Sequence, residues 1–108
     1  MEIKHKLVGA VNIIIEPGDQ TAYQFIAFRT CDDYATIVGY KNFVGYDYRI
    51  DQVRDFFIRN PRDSDYETWK DQVESDYFFK YVMDHSSCDR HHALAALCCI
   101  KHFFISEE

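Results

Sequence analysis

With 108 residues, of which 47% are hydrophobic and 17% aromatic, the chain has the size of one domain with a substantial core. This composition excludes a disordered chain, which would be poor in aromatic residues. The formal net charge of −6 argues against general binding to nucleic acid or to an anionic membrane, and it suits solubility or a basic partner.

The cysteines and the apolar runs bear on the cellular compartment. The four thiols of Cys31, Cys88, Cys98 and Cys99 follow no spacing of a secreted disulfide framework, so free thiols in a reducing cytosol are expected. The sequence contains no signal-peptide pattern and no apolar run of about 20 residues. It therefore predicts a cytoplasmic protein without a membrane span.

The first thirty residues predict an antiparallel β-hairpin. Apolar residues at alternate positions from Ile3 to Ile15 indicate a strand with one buried face, and Gly9 is a candidate for a bulge or a bend. Pro17-Gly18 fits the centre of a type II turn. The aromatic and branched run Thr21–Arg29 then supplies the second strand.

Residues 30–48 admit two interpretations. Thr30 to Asp33 has the residues of a helix start, which favours a short helix ending near Gly39. Ile37, Val38 and the neighbouring tyrosines are equally typical of a third strand over residues 34–40. Residues 40–48 are interpreted as an aromatic loop.

The second half predicts three helices. The first has apolar residues at helical spacing from Ile50 to Phe57, with Asp47 as its cap, and it ends at Asn60-Pro61. The second runs from about residue 65 to 84, because Ser64 and Glu67 have the spacing of a capping box. The third, 88–104, follows a cap at Ser86 or Ser87.

These elements predict one α+β domain. The N-terminal hairpin, with a third strand as the alternative, packs against three C-terminal helices. The last of these helices has almost no charge in its middle and is the candidate for the buried centre of the core.

The last predicted helix also suggests zinc. Cys and His recur on one stripe of it, and these side chains are the usual zinc ligands. However, its first and last candidates, Cys88 and His102, would lie roughly 20 Å apart along the helix. One ion cannot bind both ends, so any site would need ligands from elsewhere, such as His5, His85 or Cys31. A buried helix is the interpretation that the pattern favours, with a zinc-supported regulatory domain as the alternative and no metal or cofactor expected.

The segment 63–76 is the strongest candidate for a partner-binding surface. It has six acids and the single base Lys70, with aromatic residues interleaved. Exposed aromatics can anchor a protein contact while the acids steer its encounter, although Trp69 fits a core position equally well. The tyrosine-rich loop 40–48 is a second candidate surface. The candidate residues are Asp63, Asp65, Tyr66, Glu67, Trp69, Asp71, Glu74, Asp76, Tyr46 and Tyr48.

A catalytic role is not predicted. The sequence contains no nucleophile elbow, phosphate-binding loop or metalloprotease motif, and it has only four glycines. The expected function is therefore binding rather than turnover.

In its size, its acidic run Asp63–Asp76 and its free thiols, the chain resembles bacterial immunity proteins that accompany contact-dependent growth-inhibition toxins. That resemblance implies a cytoplasmic protein that binds one cognate toxin, often a basic nuclease, and blocks it without a cofactor. Such a protein would contact its partner protein directly, and neither nucleic acid nor a membrane. The alternative is a phage or plasmid anti-defence protein that mimics DNA with its carboxylates.

Overall fold

The computed structural model describes residues 6–13, 23–39, 45–62, 65–86 and 90–105. Four antiparallel strands, β1 to β4, form one sheet in chain order, and four helices, α1 to α4, follow. The predicted α+β class is confirmed. The strands are β1 Lys6–Ile13, β2 Tyr23–Arg29, β3 Tyr34–Gly39 and β4 Gly45–Arg49, and the helices are α1 Ile50–Arg59, α2 Tyr66–Glu74, α3 Tyr77–Ser86 and α4 Arg90–Phe104.

The predicted hairpin is β1 paired with β2, and it contains the irregularity expected at Gly9. Leu7 pairs with Phe28, but Gly9 pairs with Ala27, so Val8 is an extra residue in β1. Side chains alternate between the two faces of a strand, so the extra residue moves Leu7 to the face opposite the predicted one. Leu7 is therefore 62% exposed. A Cβ on Gly9 would lie 2.9 Å from the Phe103 ring, so a larger residue here would require that ring to shift. The predicted turn at Pro17-Gly18 lies outside the described residues.

The helix favoured for residues 30–39 is wrong, since these residues include β3. Its backbone pairs with β2 from Ala35 to Gly39, and the side chains of Ala35 and Ile37 are buried against the helices. The local helix-start signal at residues 30–33 is thus outweighed by pairing and burial of a branched, aromatic run. The loop interpretation of residues 40–48 is also wrong for 45–48, which belong to β4, while 40–44 lie outside the described residues.

Helix α1 begins and ends close to the predicted positions, but its cap differs. Arg49 occupies the N-cap position, and among the described residues its side chain makes no capping hydrogen bond. Asp47 lies within β4, where its carboxylate accepts a hydrogen bond from the Thr36 hydroxyl. At the other end the chain leaves the helix at Asn60, whose side-chain amide donates to the Phe56 carbonyl at 3.0 Å. The predicted stop before proline is confirmed.

The predicted helix from 65 to 84 is interrupted, so there are two shorter helices, α2 and α3. The chain breaks at Ser75-Asp76, and the Asp76 carboxylate accepts a hydrogen bond from the Phe78 amide at 2.8 Å, which starts the next helix. The cap of α2 is Asp65, while Ser64 of the predicted capping box lies outside the described residues. The helical pattern of the sequence continues through position 76, but in the structure the Asp76 carboxylate caps a new helix there.

Helix α4 is the buried centre of the molecule, as predicted. It contacts β1, β2 and β3 on one side and α1 and α3 on the other. Its fully buried residues include Leu94, Leu97, Cys99 and Ile100. Of the two predicted caps, Ser86 is instead the last residue of α3, and Ser87 lies outside the described residues. In the described part of the chain, no helix has both the length and the apolar character that a membrane crossing needs.

Candidate functional site

Several acids of the segment 63–76 serve the local structure of the helices. The Asp65 carboxylate caps α2, because it accepts hydrogen bonds from the Thr68 amide at 2.9 Å and the Thr68 hydroxyl at 3.0 Å. These bonds lower the pKa of Asp65 below its ordinary value. Asp63 lies outside the described residues.

Asp76, at the break between α2 and α3, joins the end of α1 to the start of α3. Its carboxylate accepts hydrogen bonds from the Arg59 guanidinium at 3.0 and 3.1 Å, from the Asn60 amide at 2.9 Å and from the Phe78 amide. Its side chain is only 7% exposed. Burial raises the pKa of Asp76, but the hydrogen bonds outweigh this effect and hold the pKa below its ordinary value. Asp76 therefore stabilises the junction between α1 and α3, and little of it is available to a partner.

The lowered pKa of Asp76 predicts acid-sensitive stability. The folded protein takes up this proton less readily than the unfolded chain, whose Asp pKa is about 3.9. The stabilisation is therefore present above about pH 4 and is lost as the pH falls through the lowered pKa. We expect Asp76→Asn to lower the free energy of unfolding at neutral pH by about 1.5–3 kcal/mol and to flatten its decline between about pH 5 and pH 2.

Urea unfolding at several pH values measures both effects. Val73→Ala, a buried apolar change, is the matched control, because it should lower stability by a similar amount at every pH. An Asp76→Asn profile parallel to that of the wild type would contradict this role of the carboxylate.

The aromatic residues of the acidic segment lie in the core. Trp69 is fully buried, and its indole N–H donates to the Asn60 carbonyl at 2.9 Å. Tyr66 is 9% exposed. The interpretation of Trp69 as a core residue is therefore the one that the structure supports, and neither ring offers a partner a large contact area.

The remaining acids of the segment form a narrow exposed strip. Glu67 and Asp71 are exposed, while Glu74 is half-buried and its carboxylate binds the Arg90 guanidinium at 2.9 Å. The described acidic surface of α2 is thus smaller than the sequence suggests, and Glu67 and Asp71 are its accessible charges.

Tyr46 and Tyr48, the predicted site residues of the tyrosine-rich segment 40–48, lie in β4, next to a cavity that the sequence did not predict. Tyr48 is 4% exposed and lines a cavity of about 360 Å³ between the sheet edge, α1 and α3. Tyr46 belongs to β4 by its backbone, and its side chain lies outside the described structure. We call this cavity the tyrosine hollow, and its lining includes Tyr34, Tyr48, Tyr77, Phe78 and Tyr81.

Three tyrosines of the hollow are accessible to a partner. Tyr34 is 36% exposed, Tyr77 is 71% exposed and Tyr81 is 48% exposed. They come from β3 and from two successive turns of α3, so the fold brings together residues more than forty positions apart in the chain. The sequence held one signal for this surface: Tyr77 and Tyr81 are four residues apart, which places both rings on one face of a helix.

The exposed tyrosine rings are held by neighbouring side chains. The Arg59 guanidinium lies 4.6 Å from the centre of the Tyr77 ring, and the Arg49 guanidinium lies 5.7 Å from that of Tyr34. The Tyr81 ring stacks on His85 with the ring centres 4.0 Å apart. Rings fixed in this way lose little further conformational entropy when a partner binds.

Charged groups surround the tyrosine hollow. Asp47 and Arg49 line it, and the Arg49 guanidinium makes two hydrogen bonds with the Asp51 carboxylate at 3.0 and 3.1 Å. The hollow therefore combines aromatic contact area with polar groups at its margin, which is the usual anatomy of a protein-binding site.

Of the cysteines of α4, Cys99 is buried and Cys98 is partly buried, and neither has the lowered pKa of a reactive thiol. Burial raises the pKa of Cys98 to about 11 and that of Cys99 to about 12, so both thiols are protonated at neutral pH. His92 packs on Phe25, with the ring centres 5.4 Å apart. Cys88 lies outside the described residues. Within the described ranges, no three His, Cys, Asp or Glu side chains come close enough together to hold a metal ion.

The sequence matches no known protein-family model, and no curated protein or solved structure is significantly similar to it.

Proposed function

We propose that this protein binds a cognate protein and blocks it by direct contact, as an immunity protein blocks a toxin. The observation that carries the proposal is the tyrosine hollow, around which Tyr34, Tyr77 and Tyr81 are exposed and held by neighbouring side chains. Tyrosine is enriched among the residues that dominate binding energy, because its ring offers a large contact area at a low entropic cost.

The charge of the chain supports a basic partner. The formal net charge is −6, and exposed acids lie both on α2, at Glu67 and Asp71, and beside the hollow, at Asp47 and Asp51. Charges at the margin of an interface mainly accelerate encounter, whereas desolvated aromatic anchors slow dissociation. A basic toxin domain is the partner class that fits both properties.

The direct test uses the protein encoded by the neighbouring reading frame. We expect the two purified proteins to form a stable complex in size-exclusion chromatography. Mixing them should abolish the toxic activity of the partner. Failure to bind that protein or to inhibit it would contradict the immunity function. Displacement of this chain from its partner by duplex DNA would instead favour the DNA-mimic alternative.

The accessible acids should set the association rate. We expect Asp71→Lys to lower the association rate constant about 3–10-fold at low salt, with a smaller difference at high salt, because mobile ions screen exposed charges. Stopped-flow fluorescence or surface plasmon resonance at several salt concentrations measures this rate.

Asp71→Asn is the matched variant, since it removes the charge without reversing it and should give an intermediate rate. An association rate that depends neither on salt nor on the charge at position 71 would show that the α2 acids do not contribute to partner encounter.

A further inference from the structure

The strand β4 forms one edge of the sheet, and its backbone hydrogen bonds to β3 alternate along the strand. Opposed residues of an antiparallel pair alternate between pairs that exchange backbone hydrogen bonds and pairs that do not. The Ile50 amide donates to the Asp33 carbonyl at 2.9 Å, one step beyond the pairing of Tyr34 with Arg49. The Tyr34 carbonyl instead accepts from the Thr30 amide at 3.1 Å, on the β2 side. Tyr34 and Arg49 are therefore a pair without mutual backbone hydrogen bonds.

Every second residue of β4 consequently turns its backbone away from β3. Tyr46 and Tyr48 fall on the pairs that exchange hydrogen bonds with β3. The backbone N–H groups of Gly45, Asp47 and Arg49 point outward from the sheet edge, and so do the carbonyls of Gly45 and Asp47. Within the described part of the chain, these outward groups have no backbone partner. The edge of β4 thus presents a row of donors and acceptors to a further strand.

The other edge of the sheet, β1, is less suited to a further strand. Val8 is an extra residue there, and a bulge twists an edge away from a neighbouring chain. The exposed base Lys6 lies on the same strand. In contrast, β4 pairs with β3 in continuous register from Gly45 to Arg49.

The tyrosine hollow lies beside the edge of β4. Asp47 and Arg49 of this strand line the hollow together with two exposed tyrosine rings of α3. The Arg49 guanidinium is already paired with the Asp51 carboxylate. The exposed Asp47 carboxylate accepts a hydrogen bond from the Thr36 hydroxyl, but it pairs with no cation among the described residues. The edge therefore has an unbalanced negative charge, to which a Lys or Arg side chain is complementary.

We propose that the partner adds an extended basic segment to β4 as a further strand, placed in the tyrosine hollow. This inference rests on the proposed function and specifies its binding mode. Backbone hydrogen bonds to the edge of β4 supply affinity, and a Lys or Arg of the added strand pairs with Asp47. A basic partner fits this edge better than a second copy of the chain, because each copy carries a net charge of −6.

Position 49 allows the backbone contribution to be measured. Its φ is −76°, close to the value that proline imposes, and its N–H points away from β3. Arg49→Pro and Arg49→Ala both remove the guanidinium, but only proline removes the outward N–H. We expect the proline variant to bind the protein encoded by the neighbouring reading frame about tenfold more weakly than the alanine variant does. Calorimetric titration measures both affinities.

Hydrogen exchange followed by NMR tests the same binding mode without a substitution, and it decides the matter if Arg49→Pro does not fold. In the free protein the amides of Tyr46 and Tyr48 should exchange slowly and those of Asp47 and Arg49 quickly, whereas all four should exchange slowly in the complex. Equal affinities of the two variants, or fast exchange at Asp47 and Arg49 in a stable complex, would overturn strand addition and leave the proposed function standing. If the neighbouring protein forms no complex, the proposed function fails and this inference fails with it. Protection of both amides in the free protein that increases with its concentration would assign the edge to a second copy and overturn the basic partner.

Discussion

Replacing Trp69 by alanine is expected to lower the free energy of unfolding by about 3–5 kcal/mol, because it removes the largest fully buried side chain. It also leaves the Asn60 carbonyl without its indole donor. A loss of this size is a large part of the stability of a typical domain, which is about 5–15 kcal/mol. Circular dichroism in a urea titration measures it without relying on tryptophan fluorescence.

Two variants separate volume from surface effects. Trp69→Phe keeps an aromatic ring and should lose less stability than the alanine variant. Ile58→Ala truncates a side chain that is 69% exposed and should change the free energy of unfolding by less than about 0.5 kcal/mol. If Trp69→Ala kept its stability and lost only partner affinity, the indole would have to act at the surface, against its observed burial.

Tyr77→Ala and Tyr81→Ala are each expected to weaken partner binding about 30-fold, which corresponds to about 2 kcal/mol. Both rings are exposed on the tyrosine hollow, so their loss removes contact area without leaving a cavity in the core. The free energy of unfolding should therefore fall by less than about 1 kcal/mol. Calorimetric titration with the cognate partner and urea unfolding measure the two quantities.

Conservative and remote variants make this result interpretable. Tyr81→Phe keeps the ring that stacks on His85 and should lose less affinity than the alanine variant. Ile58→Ala removes an exposed apolar side chain that does not line the hollow, and it should bind like the wild type. Full affinity in both alanine variants would place the interface elsewhere on the molecule.

The sequence predicted the elements whose signals are local. The strand β1, the stop before Pro61 and the buried helix α4 each have a local sequence signal, and the structure confirms them, although the alternation in β1 fails at Leu7, which the bulge leaves exposed. The third strand was misjudged because residues 30–33 have a helix-start pattern, and only pairing with β2 decides in favour of β3. The break at Asp76 also depends on distant partners, since Arg59 and Asn60 hold the carboxylate there.

The tyrosine hollow could not be predicted from spacing. Tyr34 and Tyr77 have no common motif. Both line the hollow because β3 lies beside β4, β4 leads directly into α1, and α1 contacts α3. Burial of Trp69 likewise depends on the position of α2 against the core, whereas the sequence around it is mostly acidic. The accessible aromatic residues are thus defined by tertiary structure rather than by the charge pattern.

The central position of α4 has a consequence for synthesis. The four strands are synthesised before the four helices, and each strand pairs with its neighbour in the chain, but α4, which covers their apolar face, follows all the other described elements. Until Arg90–Phe104 has emerged, Phe25 and Ile37 have no α4 to bury them. The nascent chain therefore passes through an interval in which an apolar sheet face is open to aggregation or to chaperones, and native packing of this face begins only when α4 covers it.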